Sequence, residues 1–132
     1  MILGIGVDLL HLPRLRAILA KRDPLRLATR ICSAWELEQW NQLRGDTPEE
    51  ERFLALRWTA KEAAYKALYP ALRPVWKDLE IRKVDKKPFL DFSPEGRRLV
   101  SEADAPSSIK MHLSVSHDAD MMVAYVVAEK TP

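Results

Sequence analysis

Between Gly45-Asp46 and Tyr69-Pro70 lies the segment of this sequence whose conformation is most tightly constrained. Thr47-Pro48-Glu49-Glu50 reads as a helix start, with Thr47 as N-cap, Pro48 at the first helical position and Glu50 bonding back from the third. The acidic triplet 49–51 suits the positive end of the helix, and Tyr69-Pro70 stops it. At helical pitch Phe53, Leu56, Ala60, Ala63, Ala64 and Ala67 fall along one core-facing stripe. Glu62 lies almost opposite that stripe, with Trp58, Thr59, Tyr65 and Lys66 around it. Such a face has two readings. Glu62 and Lys66 could be a surface i,i+4 pair worth about 0.3–0.5 kcal/mol. Alternatively, the face could wall a site for a metal and a phosphorylated ligand. Matching groups elsewhere in the chain have to decide.

The rest of the chain divides around this helix. Residues 2–10 form a nearly continuous apolar run, expected as a short strand buried on both faces. Gly4 and Gly6 mark a close approach of backbone or ligand, and Asp8 is the run's one charge. A carboxylate there needs a cation, a donor or water. Pro13 opens a helix through about Lys21, ended by Asp23-Pro24. Ser33 with Glu36 is a capping-box signature for a short helix carrying Trp35, Leu37, Trp40 and Leu43. Beyond the central helix, residues 79–84 and 89–92 read as a hairpin joined by Asp85-Lys86-Lys87-Pro88. Ser93-Pro94-Glu95 starts another helix through about Ala103, with Leu99 and Val100 inward. After a loop around Pro106, Met111, Leu113 and Val115 alternate with His112, Ser114 and Ser116 in a half-buried strand. The chain then turns at residues 117–120 and returns through 121–128.

Totals matter only for what they exclude. A chain of 132 residues fits one domain, here residues 1–132. Net charge is only +2, but residues 9–32 hold six basic side chains (Arg14, Arg16, Lys21, Arg22, Arg26, Arg30) against the single acid Asp23. Such a patch suits an acidic partner. One cysteine, Cys32, excludes an internal disulfide framework and is expected as a small buried apolar residue. No apolar run approaches the roughly 20 residues of a membrane span, and no secretory or transit segment opens the chain, so a soluble intracellular protein, or one already processed, is expected.

Asp8, Glu62 with Lys66, and the His112/Ser114/Ser116 face therefore recur on elements expected to share a core. Two carboxylates from different elements can hold a hard divalent cation, which completes its shell with water and ligand phosphates. A lysine beside them suits the same phosphates. Neither a P-loop nor a His-Glu-x-x-His pattern occurs, and neither serine sits in a Gly-x-Ser-x-Gly elbow.

At these positions the chain resembles the 4′-phosphopantetheinyl transferases, specifically the small holo-[acyl-carrier-protein] synthase type. Gly4-Ile-Gly-Val-Asp8, with Arg14 six residues on, is similar to the family's first motif. Arg57-Trp-Thr-Ala-Lys61-Glu62-Ala-Ala-Tyr-Lys66 resembles its Trp/Phe-x-x-Lys-Glu-Ala-x-x-Lys signature. Residues 111–118 resemble its late strand and turn. The resemblance implies an α+β fold, an antiparallel sheet packed on a long central helix, and commonly a homotrimer with active sites between subunits. It implies Mg²⁺-dependent transfer of the phosphopantetheine arm of coenzyme A to a serine of an apo acyl carrier protein, releasing adenosine 3′,5′-bisphosphate. By matching positions, Asp8 and Glu62 would hold Mg²⁺ and Lys66 would pair with a phosphate. Arg57 and Trp58 would border the coenzyme, His112 would share the pocket, and Arg14 and Arg22 would dock the carrier. Either Glu62 or a metal-bound water would take the serine proton. Nucleic-acid and membrane partners are not implied.

The sequence departs from the family in two places. His11 stands where a glutamate is frequent, and the Gly-Thr-Gly loop of bacterial members is replaced by Tyr69-Pro70 and residues 73–78. The run Lys-Ala-Leu-Tyr-Pro is similar to fungal stand-alone synthases serving mitochondria, so the mitochondrial matrix stands beside the cytoplasm as an expected location. The competing reading is a non-catalytic module whose basic N-terminal helix binds RNA or another polyanion. It leaves Asp8, Glu62 and Lys66 without a role.

Overall fold

The computed structural model describes residues 1–101 and 109–132. Its elements are β1 (Ile2–His11), α1 (Leu12–Lys21), α2 (Pro24–Ile31), α3 (Ala34–Asn41), α4 (Thr47–Leu68), β2 (Leu79–Val84), β3 (Lys87–Phe92), α5 (Arg98–Ser101), β4 (Ile109–Asp118) and β5 (Met121–Lys130). An antiparallel sheet in the order β1-β5-β4 packs one face against α4, and β2-β3 form a separate hairpin. The expected α+β class, with an antiparallel sheet on a long central helix, holds.

The contact between sheet and helix is unusually close. Gly4 and Gly6 lie so near α4 that a methyl on either would overlap the carbonyl oxygen of Ala67 or Ala63. On the helix side the stripe Leu56, Ala60, Ala63, Ala64 and Ala67 is buried, mostly as alanine. Opposite Gly4 and Gly6 in register, Ala128 and Val126 of β5 continue the same inward face. Small residues on both partners let two backbones meet where larger side chains would hold them apart.

Several expectations change. The first strand is not buried on both faces: Ile5 and Leu9 are 67% and 62% exposed, because only the inward face of β1 meets α4. The central helix has no single core stripe. Its other side packs on α2 and α3, where Leu54 joins Ala28, Ile31, Cys32 and Trp40 in a second cluster. Asp46, not Thr47, caps α4 by accepting from the Glu49 amide at 3.2 Å, which moves Pro48 to the second helical position. Glu50 does reach back, but to the Gly45 amide at 2.9 Å. Helix α2 follows directly after the Asp23-Pro24 break, with Asp23 as its cap. The β2-β3 turn is only two residues long, Asp85 and Lys86, both at positive φ (49° and 67°), so Lys87 and Pro88 join the strand. After Pro94 the chain makes one 3₁₀ turn before the short α5. The expected extension of that helix to Ala103 and the loop around Pro106 lie outside the described residues.

The expected capping box at Ser33 and Glu36 is present. Cys32 is buried, and desolvation pushes its thiol up to about 12, so it stays protonated and inert.

Candidate active site

Strand β1 is registered so that Asp8 lies opposite Ala124, whose side chain is fully buried, so Asp8 shares the face that meets α4. Two residues after Gly6, it arrives beside the helix because the glycine lets the backbones touch. There Lys66 donates to the Val7 carbonyl at 2.9 Å and stands 3.4 Å from Asp8 Oδ1. Glu62 lies one turn earlier on the same helix. Burial raises its carboxyl above the usual range, and the negative charge of Asp8 raises it further, while Lys66 and Arg14 act in the opposite direction. Four charged groups from β1, α1 and α4 thus converge where helix and sheet meet.

Glu62 also borders a cleft of about 310 Å³ whose walls include Tyr65, Pro74, Val75, Trp76 and Leu79. Pro74, Val75 and Trp76 belong to the stretch 73–78 that stands where the sequence departs from the family's glycine loop. Tyr65 and Tyr69 lie with ring centroids 5.9 Å apart, and the Arg73 guanidinium sits 5.2 Å over the Tyr69 ring. The wall is aromatic rather than a backbone cradle.

The chemistry of the donor set fits a divalent cation. The negative charge of Asp8 makes Glu62 costlier to ionise, a situation a dication relieves. Among the described residues no cluster of three or more carboxylate, histidine or cysteine ligands occurs. Two carboxylates with room for water and phosphate are the set Mg²⁺ takes, in contrast to an all-protein cage.

Within one subunit, three of the expected coenzyme contacts are placed elsewhere. Arg57 is 5% exposed; its Nε lies 3.4 Å from Glu36 Oε2 and its guanidinium packs over the Phe53 ring. It is committed to the interior because α3 packs on that side of α4. Trp58 is half-buried, its ring 5.8 Å from that of Trp76, and it lines a groove of about 470 Å³ with Arg22, Arg26 and Arg30. His112 pairs in register with Val127 and its Nε2 meets Glu129 Oε2 at 2.8 Å, which holds that carboxyl below its usual range. Strand alternation puts His112 on the sheet face opposite Asp8. Arg14 and Arg22 are exposed on or just after α1.

Sequence reasoning missed a buried ionic cluster of Glu36, Arg57 and Lys61. Its signal was present in the spacing of Arg57 and Lys61, four residues apart on one helical side, but Glu36 read as fully occupied by its capping box.

A family model described as the 4′-phosphopantetheinyl transferase superfamily matches residues 4–126. The chain belongs to this superfamily. The superfamily match covers β1 through most of β5 and includes all the site residues above. Holo-[acyl-carrier-protein] synthase of Mycoplasma pneumoniae is 32% identical over 132 residues, covering all of this chain and 98% of that protein. The synthase of Lactococcus lactis is 34% identical, covering 98% and 99%. Among solved structures, the Bacillus anthracis synthase in complex with CoA (3′,5′-ADP) superposes with a TM-score of 0.74 at 31% identity, covering 99% of each chain. The Plasmodium yoelii synthase has a TM-score of 0.81 at 22% identity, covering 100% and 98%, and bears on the fold alone. An enzyme of this superfamily is thereby favoured over a non-catalytic RNA-binding module.

Proposed function

We propose that this protein is a holo-[acyl-carrier-protein] synthase that moves the 4′-phosphopantetheine arm of coenzyme A onto a serine of an apo acyl carrier protein. The observation that carries this reading is the convergence of Asp8, Glu62, Lys66 and Arg14 beside a cleft of about 310 Å³.

Asp8 and Glu62 would hold Mg²⁺, which supplies charge neutralisation and polarisation at the diphosphate when bound. Lys66, already anchored on the Val7 carbonyl, presents its ammonium to the phosphate that departs. The serine oxygen forms a bond to the β-phosphorus of coenzyme A. The bond from that phosphorus to the bridging oxygen breaks, and adenosine 3′,5′-bisphosphate leaves with the electron pair. Either Glu62 or a water held at the metal site would take the serine proton. Arg14 and Arg22, with the groove formed by Arg26 and Arg30, would orient the acidic carrier by charge.

The assembly would be a homotrimer. The outer face of the three-stranded sheet exposes Ile5, Val7, Leu9 and Tyr125 side by side, an apolar surface suited to further copies. His112 shares that face, so it would reach the coenzyme bound to a neighbouring subunit rather than its own.

The decisive experiment incubates the protein with coenzyme A, Mg²⁺ and an apo carrier. Mass spectrometry should find an addition of about 340 Da on the carrier, the size of the phosphopantetheine arm moved by phosphoryl transfer. Chelation should abolish the addition and Mg²⁺ restore it. No addition on any of several apo carriers would refute the reading.

A further inference from the structure

Lys61 precedes Glu62 in the family signature and part of it lines the same cleft, yet its ammonium is directed into the interior. Its side chain is 1% exposed and its ammonium has three acceptors: Glu36 Oε1 at 2.5 Å, the Ile31 carbonyl at 2.6 Å and the Trp76 carbonyl at 3.0 Å. An ammonium has three protons, so its bonding capacity is filled. The acceptors come from three different parts of the fold. Glu36 belongs to α3. Ile31 is the last residue of α2, whose terminal carbonyls have no partner within the helix and carry partial negative charge. Trp76 lies in the 3₁₀ turn that walls the cleft next to Glu62.

Glu36 extends the same brace. One carboxylate oxygen takes the Ser33 amide at 2.8 Å together with Lys61, and the other takes the Ile81 amide of β2 at 2.9 Å, with Arg57 3.4 Å away. The pair is fully withdrawn from water, so removing either charge alone leaves the other buried without its partner. A buried polar network whose members are satisfied in this way rigidifies the elements it joins.

We propose that Lys61 is a positioning residue, which with Glu36 fixes the basic α1–α2 docking surface and the Trp76 wall of the cleft relative to Glu62. It contacts neither coenzyme nor carrier. Its effect is to align the carrier serine, docked on the basic surface, with the diphosphate held beside Glu62. This rests on the phosphopantetheinyl-transfer reading given above.

The test compares Glu36→Gln, Lys61→Met and the neutral double variant, each at its measured folded fraction. The double variant removes the Glu36–Lys61 pair together and leaves Arg57, over the Phe53 ring, as the remaining charge of the cluster, so it carries the comparison if Lys61→Met alone does not fold. Positioning predicts that kcat/KM for the carrier falls about tenfold or more in Glu36→Gln as well as in the Lys61 variants, the scale expected of misaligned reactants. Binding of adenosine 3′,5′-bisphosphate should change equally in all of them. If Lys61→Met weakens that binding while Glu36→Gln leaves it untouched, Lys61 is a phosphate contact and the proposal fails. If kcat and both KM values per folded molecule match the wild type, the cluster only stabilises the fold, and the proposal fails again. Absence of transfer by the wild type would instead sink the functional reading. Hydrogen exchange then still decides the brace: the Cys32 and Asp78 amides should exchange faster together in Lys61→Met or the double variant, and unchanged rates at either would overturn it.

Discussion

Lys66 of the central helix bonds the carbonyl of Val7 at 2.9 Å while standing 3.4 Å from the carboxylate of the next residue, Asp8. One ammonium is thus anchored by backbone and aimed by a charge. About half of its side chain remains exposed, so the pair itself adds little to stability. Its arrangement suits ligand contact, with the lysine held in place before a phosphate arrives.

Replacing Lys66 with alanine should therefore leave the fold intact and cost turnover. The expected loss in kcat is about 10²–10³-fold, the range seen when one preorganised charge-stabilising group is removed. Steady-state kinetics with a saturating carrier, beside a thermal melt within a few degrees of wild type, would check it. A melt that collapses along with the activity would count against a purely functional role.

Glu62 couples activity to pH-dependent stability. Its folded-state proton affinity is raised, so the folded protein binds this proton more tightly than the unfolded chain does. Stability from this group is then full below the ordinary glutamate value of 4.5 and is lost as pH rises through the raised folded value. Glu62→Gln should abolish transfer, yet melt higher than the metal-free wild type at pH 7. The difference should vanish as pH falls below 4.5. Melts measured across that range decide it; a variant less stable than wild type at pH 7 contradicts the assignment.

Gly6→Ala should be among the most damaging small substitutions. The added methyl would overlap the Ala63 carbonyl, which is backbone and cannot swing aside. Helix and strand must separate, at a cost of about 3 kcal/mol or more. Denaturant unfolding should show a lowered midpoint, and the transfer rate should fall with it because Asp8 moves away from Glu62. An unchanged midpoint would mean that the close contact is not formed.

The exposed outer face of the sheet predicts oligomerisation. Leu9→Asp places a charge in the apolar surface formed with Ile5, Val7 and Tyr125. Light scattering should find a trimer for the wild type and a smaller species for the variant, with activity lost although the monomer folds. A monomeric wild type with full activity would leave His112 without access to any site.

Some of this was legible in the chain. The capping box of Ser33 and Glu36, the hairpin strands, the alternation of residues 111–116 and the long helix all followed from local pattern, because capping, turns and periodicity act over a few residues. Asp8, Glu62 and Lys66 could be singled out because charge on an apolar strand, or at the margin of an alanine-rich helix, calls for a partner. The burial of Arg57 and Lys61 was not legible. A charged side chain in a sequence reads as exposed unless its countercharge is known, and Glu36 reaches them only through the packing of α3 on α4.

Periodicity and small-residue spacing, which are properties of neighbouring residues, dictate the secondary structure and mark the carboxylates that matter. Which charges meet, and which side of the long helix faces a ligand, depends on contacts between elements far apart in the chain. Gly6 against Ala63 and Glu36 against Lys61 are such contacts, and they come about only when strand, helix and hairpin pack together and exclude water. The same dependence assigns Asp8 and His112 to opposite faces of one sheet.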